Sequence, residues 1–349
     1  GTIITERHVL TAAHCLVLEL QKHHPRILSF FDFSAIKHHS SSRHWLLTNH
    51  SCRECGTKMT PTVVKSLIGL SLLLVTLHGL SAQKVTLNPK GCGVSFHKTM
   101  IVNGTEVKET QYPWMVFLEL QYADAARACG GTIITERHVL TAAHCLVLDN
   151  IYVQKVVVTY GSVDRRNGKK VEASKMLIHK GYHMTKHVND IALLEVKYAF
   201  QFSKEVTPIC LPMTRVPLVN KNAIVSGWGS LYYGGQGVDF LRQTTVSIYP
   251  SIICSLLYSR LDYSDVYQCC ANRVGKGACK GDSGGPLMLL TGTGRFQQVG
   301  IVSYGAGTCG GIFNPQVYTR VDGYVDWLTR GVSSSAGYKP LGEQKTYML

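Results

Sequence analysis

The sequence predicts an all-β fold of sandwich or barrel type with one helix near its end. Short β-branched and aromatic runs recur beyond residue 100, at Val153 to Tyr160, Ala223 to Trp228 and Gln297 to Tyr304. Gly, Asn and Asp turns separate them, and sustained helical periodicity is almost absent. The composition agrees: 349 residues, 45% hydrophobic and 17% charged, can bury a core and are unlike a disordered or collagen-like chain.

Taken in order, the chain begins with a repeat. Residues 1 to 18, GTIITERHVLTAAHCLVL, recur unchanged at 131 to 148, but the residues immediately after the two copies are unrelated. A duplicated exon and a stray fragment joined to a complete gene both account for this, and the second is favoured. His14 in the first copy has no Asp or Ser string to work with. Residues 19 to 58 carry scattered His and Cys52-Arg53-Glu54-Cys55. A lone CxxC without a second Cys pair is a weak zinc signal, so residues 1 to 58 are read as spurious or unstructured. From Met59 to Ala82 the chain reads as a secretory signal peptide: Lys65, an apolar run from Leu67 to Leu77, then Ser81 and Ala82. The run is too short to span a bilayer, so no membrane anchor is expected, and Met59 is the expected start. Residues 83 to 100 then form a propeptide, 101 to 331 the folded domain and 332 to 349 a polar tail. The helix is placed at Val321 to Thr329, with Gly331 as its stop signal.

The formal charge of +14 invites a nucleic-acid or heparin partner, but no nucleic-acid motif accompanies it. From Ile101 onward there are 25 Lys+Arg against 18 Asp+Glu, which halves the excess to +7. No nucleic acid is therefore expected.

The chemistry rests on TAAHC at 141 to 145, NDIALL at 189 to 194 and GDSGGP at 281 to 286, with SGWG at 226 to 229 and SYG at 303 to 305. A Ser hydroxyl needs a base within hydrogen-bond reach and a third group to orient that base. Singly, the Ser reads as a turn residue, the Asp as a cap and the His as a core residue; their joint occurrence reverses that reading. In these strings and in their order, His then Asp then Ser, the chain resembles the trypsin and chymotrypsin family of serine endopeptidases over about residues 92 to 331.

The resemblance implies two six-stranded antiparallel Greek-key β-barrels, roughly residues 101 to 210 and 211 to 320, with a C-terminal helix. It implies Ser283 as nucleophile, His144 as base and Asp190 as orienter, with Ser303 donating to Asp190. The backbone N–H groups of Gly281 and Ser283 match the family's oxyanion hole. The implied disulfides are Cys92–Cys210, which would tether the propeptide, Cys129–Cys145, Cys254–Cys270 and Cys279–Cys309. Cys269 is left over, to compete for Cys254, to pair between molecules or to stay a buried thiol. IVNG at 101 to 104 matches the family's mature N-terminus, so cleavage after Met100 would free an Ile101 ammonium to pair with Asp282. Met100 departs from the Arg or Lys usual there.

The specificity pocket departs from trypsin as well. Gly277 stands at the floor where trypsin-like relatives carry Asp, so a buried Arg or Lys side chain would lack a counter-charge. Gly305 keeps one wall open, while Gln316 narrows the pocket or adds a polar contact. Uncharged residues are the expected preference. The family's calcium loop, here 160 to 172, is basic, so no metal is expected, and no cofactor either. Asn103-Gly104-Thr105 is a glycosylation sequon of little expected use. The chain is thus read as a secreted, monomeric serine endopeptidase, made as a zymogen, with protein or peptide substrates, an activating protease and protein inhibitors as partners. The alternative is an unactivated protease homologue acting as a binding or regulatory module.

Overall fold

The structure, a computed structural model, describes residues 85–97, 105–305, 309–311, 314–334 and 336–341. The chain divides into units Gly1–Ala82 and Gln83–Leu349. The first copy of the repeat, the CxxC and the segment read as a signal peptide fall in the first unit, outside the described residues; Met100, Ile101 and Asn103 belong to the second unit and also lie outside the described residues.

The second unit consists of two closed, six-stranded antiparallel barrels. In the first, β2 (Met115–Gln121), β3 (Ala126–Ile133), β4 (His138–Thr141), β7 (Lys155–Tyr160), β8 (Lys169–Ile178) and β9 (Ala192–Val196) run in the order β8-β7-β2-β3-β4-β9, closed by β8 on β9. In the second, β10 (Asn222–Gly227), β11 (Arg242–Ile248), β12 (Gln268–Asn272), β13 (Pro286–Leu290), β14 (Phe296–Tyr304) and β15 (Gln316–Arg320) run β11-β10-β13-β14-β15-β12, closed by β11 on β12. A small hairpin, β5 (Val147–Leu148) with β6 (Ile151–Tyr152), comes directly after the 3-10 turn Ala143–Cys145. Closure leaves few free strand edges.

The sequence patterns reflect which faces are covered. β2 reads MVFLELQ without alternation because it is buried on both sides, and Phe117 meets Trp228 of the second barrel edge-on at 5.9 Å. β8 does alternate, with Val171 and Ala173 buried, and then changes phase so that Met176 is buried instead. The register shift between Ala173 and Lys175 supplies the extra residue. Leu118, Val158 and Leu194 lie in the core of the first barrel, and Val225, Leu287 and Tyr318 in that of the second.

Two short strands cross over. β1 (Thr105–Glu106) pairs with β11 of the second barrel, and β16 (Lys339–Pro340) with β8 of the first. The expected polar tail therefore returns to the sheet: Leu341 N–H donates to the Ser174 carbonyl, and Lys339 sits 4.5 Å over the Tyr152 ring. The C-terminal helix differs from expectation too. Val321–Gly323 is a 3-10 turn and the α-helix spans Val325–Ser333, straight through Gly331. A Cβ on Gly331 would lie 2.6 Å from Leu193 Cδ1 and 3.1 Å from Leu177 Cδ2. The glycine serves close packing of helix on barrel, not a stop. A further helix among the described residues, Ser251–Leu257, is short and lies outside the sequence expectation.

All four implied disulfides are present. Cys92–Cys210 fixes the 85–97 segment, which Gly93 and Asn88 also hold through backbone and side-chain hydrogen bonds to Pro208 and Leu211. Cys269 is a buried free thiol whose pKa burial pushes up to about 12. Neighbouring strand residues point to opposite faces, so Cys270 reaches Cys254 while Cys269 packs in the second barrel's core. Among the described residues no helix is long and apolar enough to cross a membrane.

Candidate active site

His144 lies on a 3-10 turn, Ala143–Cys145, that leaves β4 and is pinned to β3 by Cys129–Cys145. Ala142 and Ala143 are completely buried, and their small side chains let the turn sit against the barrel. Asp190 begins the return into β9 and is fully buried. Asn189 before it takes the left-handed conformation, φ 54°, tolerated by Asn. Its side chain is fixed at both ends, accepting from Tyr324 Oη at 3.0 Å and donating to the Gly181 carbonyl at 2.7 Å.

The Asp190 carboxylate is saturated with donors. Oδ1 accepts the His144 backbone N–H at 2.9 Å, and Oδ2 lies 2.7 Å from His144 Nδ1 and accepts Ser303 Oγ–H at 2.5 Å. Thr319 Oγ1 donates to the Asp190 carbonyl at 2.8 Å, a support that no sequence signal announced. Burial opposes both charges. It pushes the Asp190 pKa up, but the His144 charge and the hydrogen bonds outweigh it and leave the carboxyl below its ordinary value. Burial likewise pushes His144 down, but Asp190's charge and hydrogen bond raise it above the ordinary imidazole value.

Ser283 comes from the other barrel, on the loop before β13. The Gly130 N–H donates to the Ser283 carbonyl at 2.7 Å, locking this loop onto the strand that carries Cys129. Gly284, φ 78°, makes the approach possible: a Cβ there would lie 2.6 Å from the Gly130 carbonyl and 3.1 Å from Ala142 N. Gly281 has φ 101°. The Lys280 carbonyl is held by the Ser230 N–H at 2.9 Å. Because a trans peptide is planar, its N–H, that of Gly281, must point the opposite way.

Asp282 is buried beside these groups. Its Oδ1 accepts Gly229 N–H at 2.7 Å and Oδ2 accepts Cys279 N–H at 2.9 Å. Among the described residues no cation forms an ion pair with it, and burial pushes its pKa up to about 6. A cavity of about 290 Å³ adjoins it, lined by Gly227, Gly229, Gly277 and Cys309 among others.

A second cavity, of about 410 Å³, opens beside Ser283 between Ala278, Ser303, Tyr304, Gly305 and Gln316. Gly277 lines the Asp282 cavity, and the Gln316 side chain lies near both Gly277 and Gly305: a Cβ on Gly277 would meet Gln316 Cγ at 3.9 Å, and one on Gly305 would meet Gln316 Cδ at 2.6 Å. In the basic 160 to 172 loop the acids are already neutralised, Asp164 by Arg166 at 2.8 Å and Glu172 by Lys155 at 2.6 Å.

Comparison with known proteins gives a consistent picture. The family model described as Trypsin matches residues 101–328. The venom serine protease Bi-VSP of Bombus ignitus is 37% identical over 259 residues, 69% of this chain and 71% of that protein. Clotting factor G beta subunit of Tachypleus tridentatus is 33% identical over 257 residues, covering 69% and 82%. Chymotrypsin-2 of Vespa crabro is 35% identical over 231 residues, covering 66% and 99%.

Proposed function

We propose, for a chain that belongs to the trypsin family of serine-type endopeptidases, that Ser283 is the nucleophile, His144 the base and Asp190 the group that orients it. The observation that carries this is the fully buried Asp190 carboxylate, bound at once by the His144 backbone N–H, by His144 Nδ1 and by Ser303. Such a carboxylate fixes the proton on Nδ1, leaves the Nε2 lone pair to take the Ser283 proton and stabilises the imidazolium that results. The Ser283 oxygen attacks the peptide carbonyl, and the oxyanion is received by the N–H groups of Gly281 and Ser283. His144 then passes its proton to the leaving amine, and water resolves the acyl-enzyme by the same route.

Activation centres on Asp282. A buried carboxylate without a cation is costly, and an Ile101 ammonium freed by cleavage after Met100 supplies one. The propeptide stays attached through Cys92–Cys210. The pocket beside Ser283 takes uncharged side chains: among its described lining residues there is no carboxylate for Arg or Lys, and Gln316 limits its depth. Four disulfides and the reading of 59 to 82 as a signal peptide support secretion, with a protein substrate and a protein activator. A fluorophosphonate probe tests the catalytic reading. The chain cleaved before Ile101 is labelled and hydrolyses peptides, and Ser283→Ala abolishes both. A properly cleaved wild-type chain that takes no label refutes it and favours the binding-module alternative.

A further inference from the structure

The loop between β10 and β11 runs past Ser283, and the first barrel holds its far end. Asp239, shortly before β11, is gripped by two guanidinium groups from the 160 to 172 loop. Arg165 Nε and Nη2 donate to its Oδ1 at 3.2 and 3.0 Å, and Arg166 Nη1 lies 3.0 Å from its Oδ2. Arg166 is fixed in turn by Asp164, which accepts from its Nε and Nη2 at 2.9 and 2.8 Å. The backbone joins in: Arg165 N–H donates to the Asp239 carbonyl, and Leu241 N–H to the Val163 carbonyl. Aromatic faces seat both cations, with Phe117 5.1 Å from the Arg165 guanidinium and Phe240 5.5 Å from that of Arg166. An ion pair this exposed, 28% at Arg165 and 39% at Asp239, contributes little to folding. With both carboxylate oxygens bound by planar forks, it fixes a position instead.

From Asp239 a short ladder leads to the reacting centre. Val238 N–H donates to the Trp228 carbonyl at 3.0 Å, and Ser230 pairs with Gly237. Ser230 N–H then donates to the Lys280 carbonyl at 2.9 Å, the bond that aims the Gly281 N–H the opposite way. Beyond the ladder Leu231, Tyr232 and Tyr233 are exposed, so the tip of the loop has little packing of its own, yet Tyr233 lines the cavity beside Ser283. We infer that Asp239 is a positioning residue: clamped by Arg165 and Arg166 across the two barrels, it sets the Gly281 N–H and the Tyr233 wall without touching substrate. None of the three clamp residues lines that cavity. The Gly281 N–H binds the substrate oxygen most strongly once that oxygen is an anion. A slack clamp therefore raises the barrier of the chemical step more than it weakens substrate binding.

The inference rests on the reading of Ser283 as nucleophile and Gly281 as oxyanion donor, and its test separates the two. The full chain, cleaved before Ile101, is assayed with a peptide substrate. Its kcat is expressed per site labelled to completion by a fluorophosphonate, so that misfolded protein does not count. The variants are Asp239→Asn, Arg165→Gln, the two combined, and Asp239→Glu, which keeps the carboxylate. Asp239→Asn lowers kcat about tenfold, part of the roughly 10²–10³ that one oxyanion donor contributes, while KM changes by less than about twofold. Arg165→Gln acts in the same direction but adds nothing on the Asp239→Asn background, because both break one clamp, and Asp239→Glu recovers most of the loss. An unchanged kcat in Asp239→Asn, a rise in KM alone, or losses that multiply in the combined variant overturns the inference and leaves the catalytic reading intact. A cleaved wild type that neither takes label nor hydrolyses peptide refutes the catalytic reading, and the inference falls with it.

Discussion

Replacing Asp282 by Asn in the uncleaved chain isolates what the unpaired buried carboxylate does to stability. Burial raises its pKa from 3.8 to about 6. A raised carboxyl pKa means that the folded chain binds the proton more tightly than the unfolded one between those two values. Stability from this group is therefore greatest below about pH 4 and declines as pH rises to about 6, then levels off. A difference of about 2 pKa units corresponds to about 3 kcal/mol. Asn does not titrate, and the donor it sets against Cys279 N–H adds a cost that does not change with pH. The assay is urea unfolding at several values from pH 4 to 7, in a Ser283→Ala background to prevent self-digestion. Between the ends of that range the uncleaved parent should lose about 2 kcal/mol relative to Asp282→Asn, the remainder of the change lying below pH 4. After cleavage before Ile101, the new ammonium, cationic below about pH 8, should remove most of this loss. Parallel stability curves for the two uncleaved proteins would refute the reasoning.

Packing sets two further outcomes. Gln316→Gly should extend the cavity beside Ser283 toward Gly277 and raise kcat/KM at Phe or Tyr at least tenfold relative to Ala or Val, about 1.4 kcal/mol in the transition state; an unchanged preference in a peptide library would exclude Gln316 as the depth limit. Gly331→Ala improves helix propensity by about 1 kcal/mol, but its Cβ collides with Leu193 and Leu177, so the urea midpoint should fall, by a net cost of about 1–2 kcal/mol.

The barrels and the candidate triad are legible in the sequence because the short strings TAAHC, NDIALL and GDSGGP carry a family resemblance that implies both. The runs at 153 to 160, 223 to 228 and 297 to 304 correspond to β7, β10 and β14, each shifted at its start by no more than two residues. What escapes is tertiary. Gly331 reads as a stop because local propensity sees an αL residue, whereas its role is set by Leu193, far away in the chain. Thr319 and Tyr324 look like ordinary strand and helix-cap residues until the fold brings them to Asp190 and Asn189. The place of Gly277 six residues before Ser283 is readable from the sequence, but the packing of the Gln316 side chain close to Gly305 is not.

The crossed edge strands have a consequence for synthesis. β1 emerges early and has its partner in β11, more than 130 residues later, while the first barrel waits for the helix Val325–Ser333 and for β16 before its outer surface is covered. Neither half is complete until almost the whole chain has left the ribosome. Vectorial folding of the first barrel alone would leave Leu177 and Leu193 uncapped. A truncation before Val325 should accordingly yield an aggregation-prone product, not a stable half-protease.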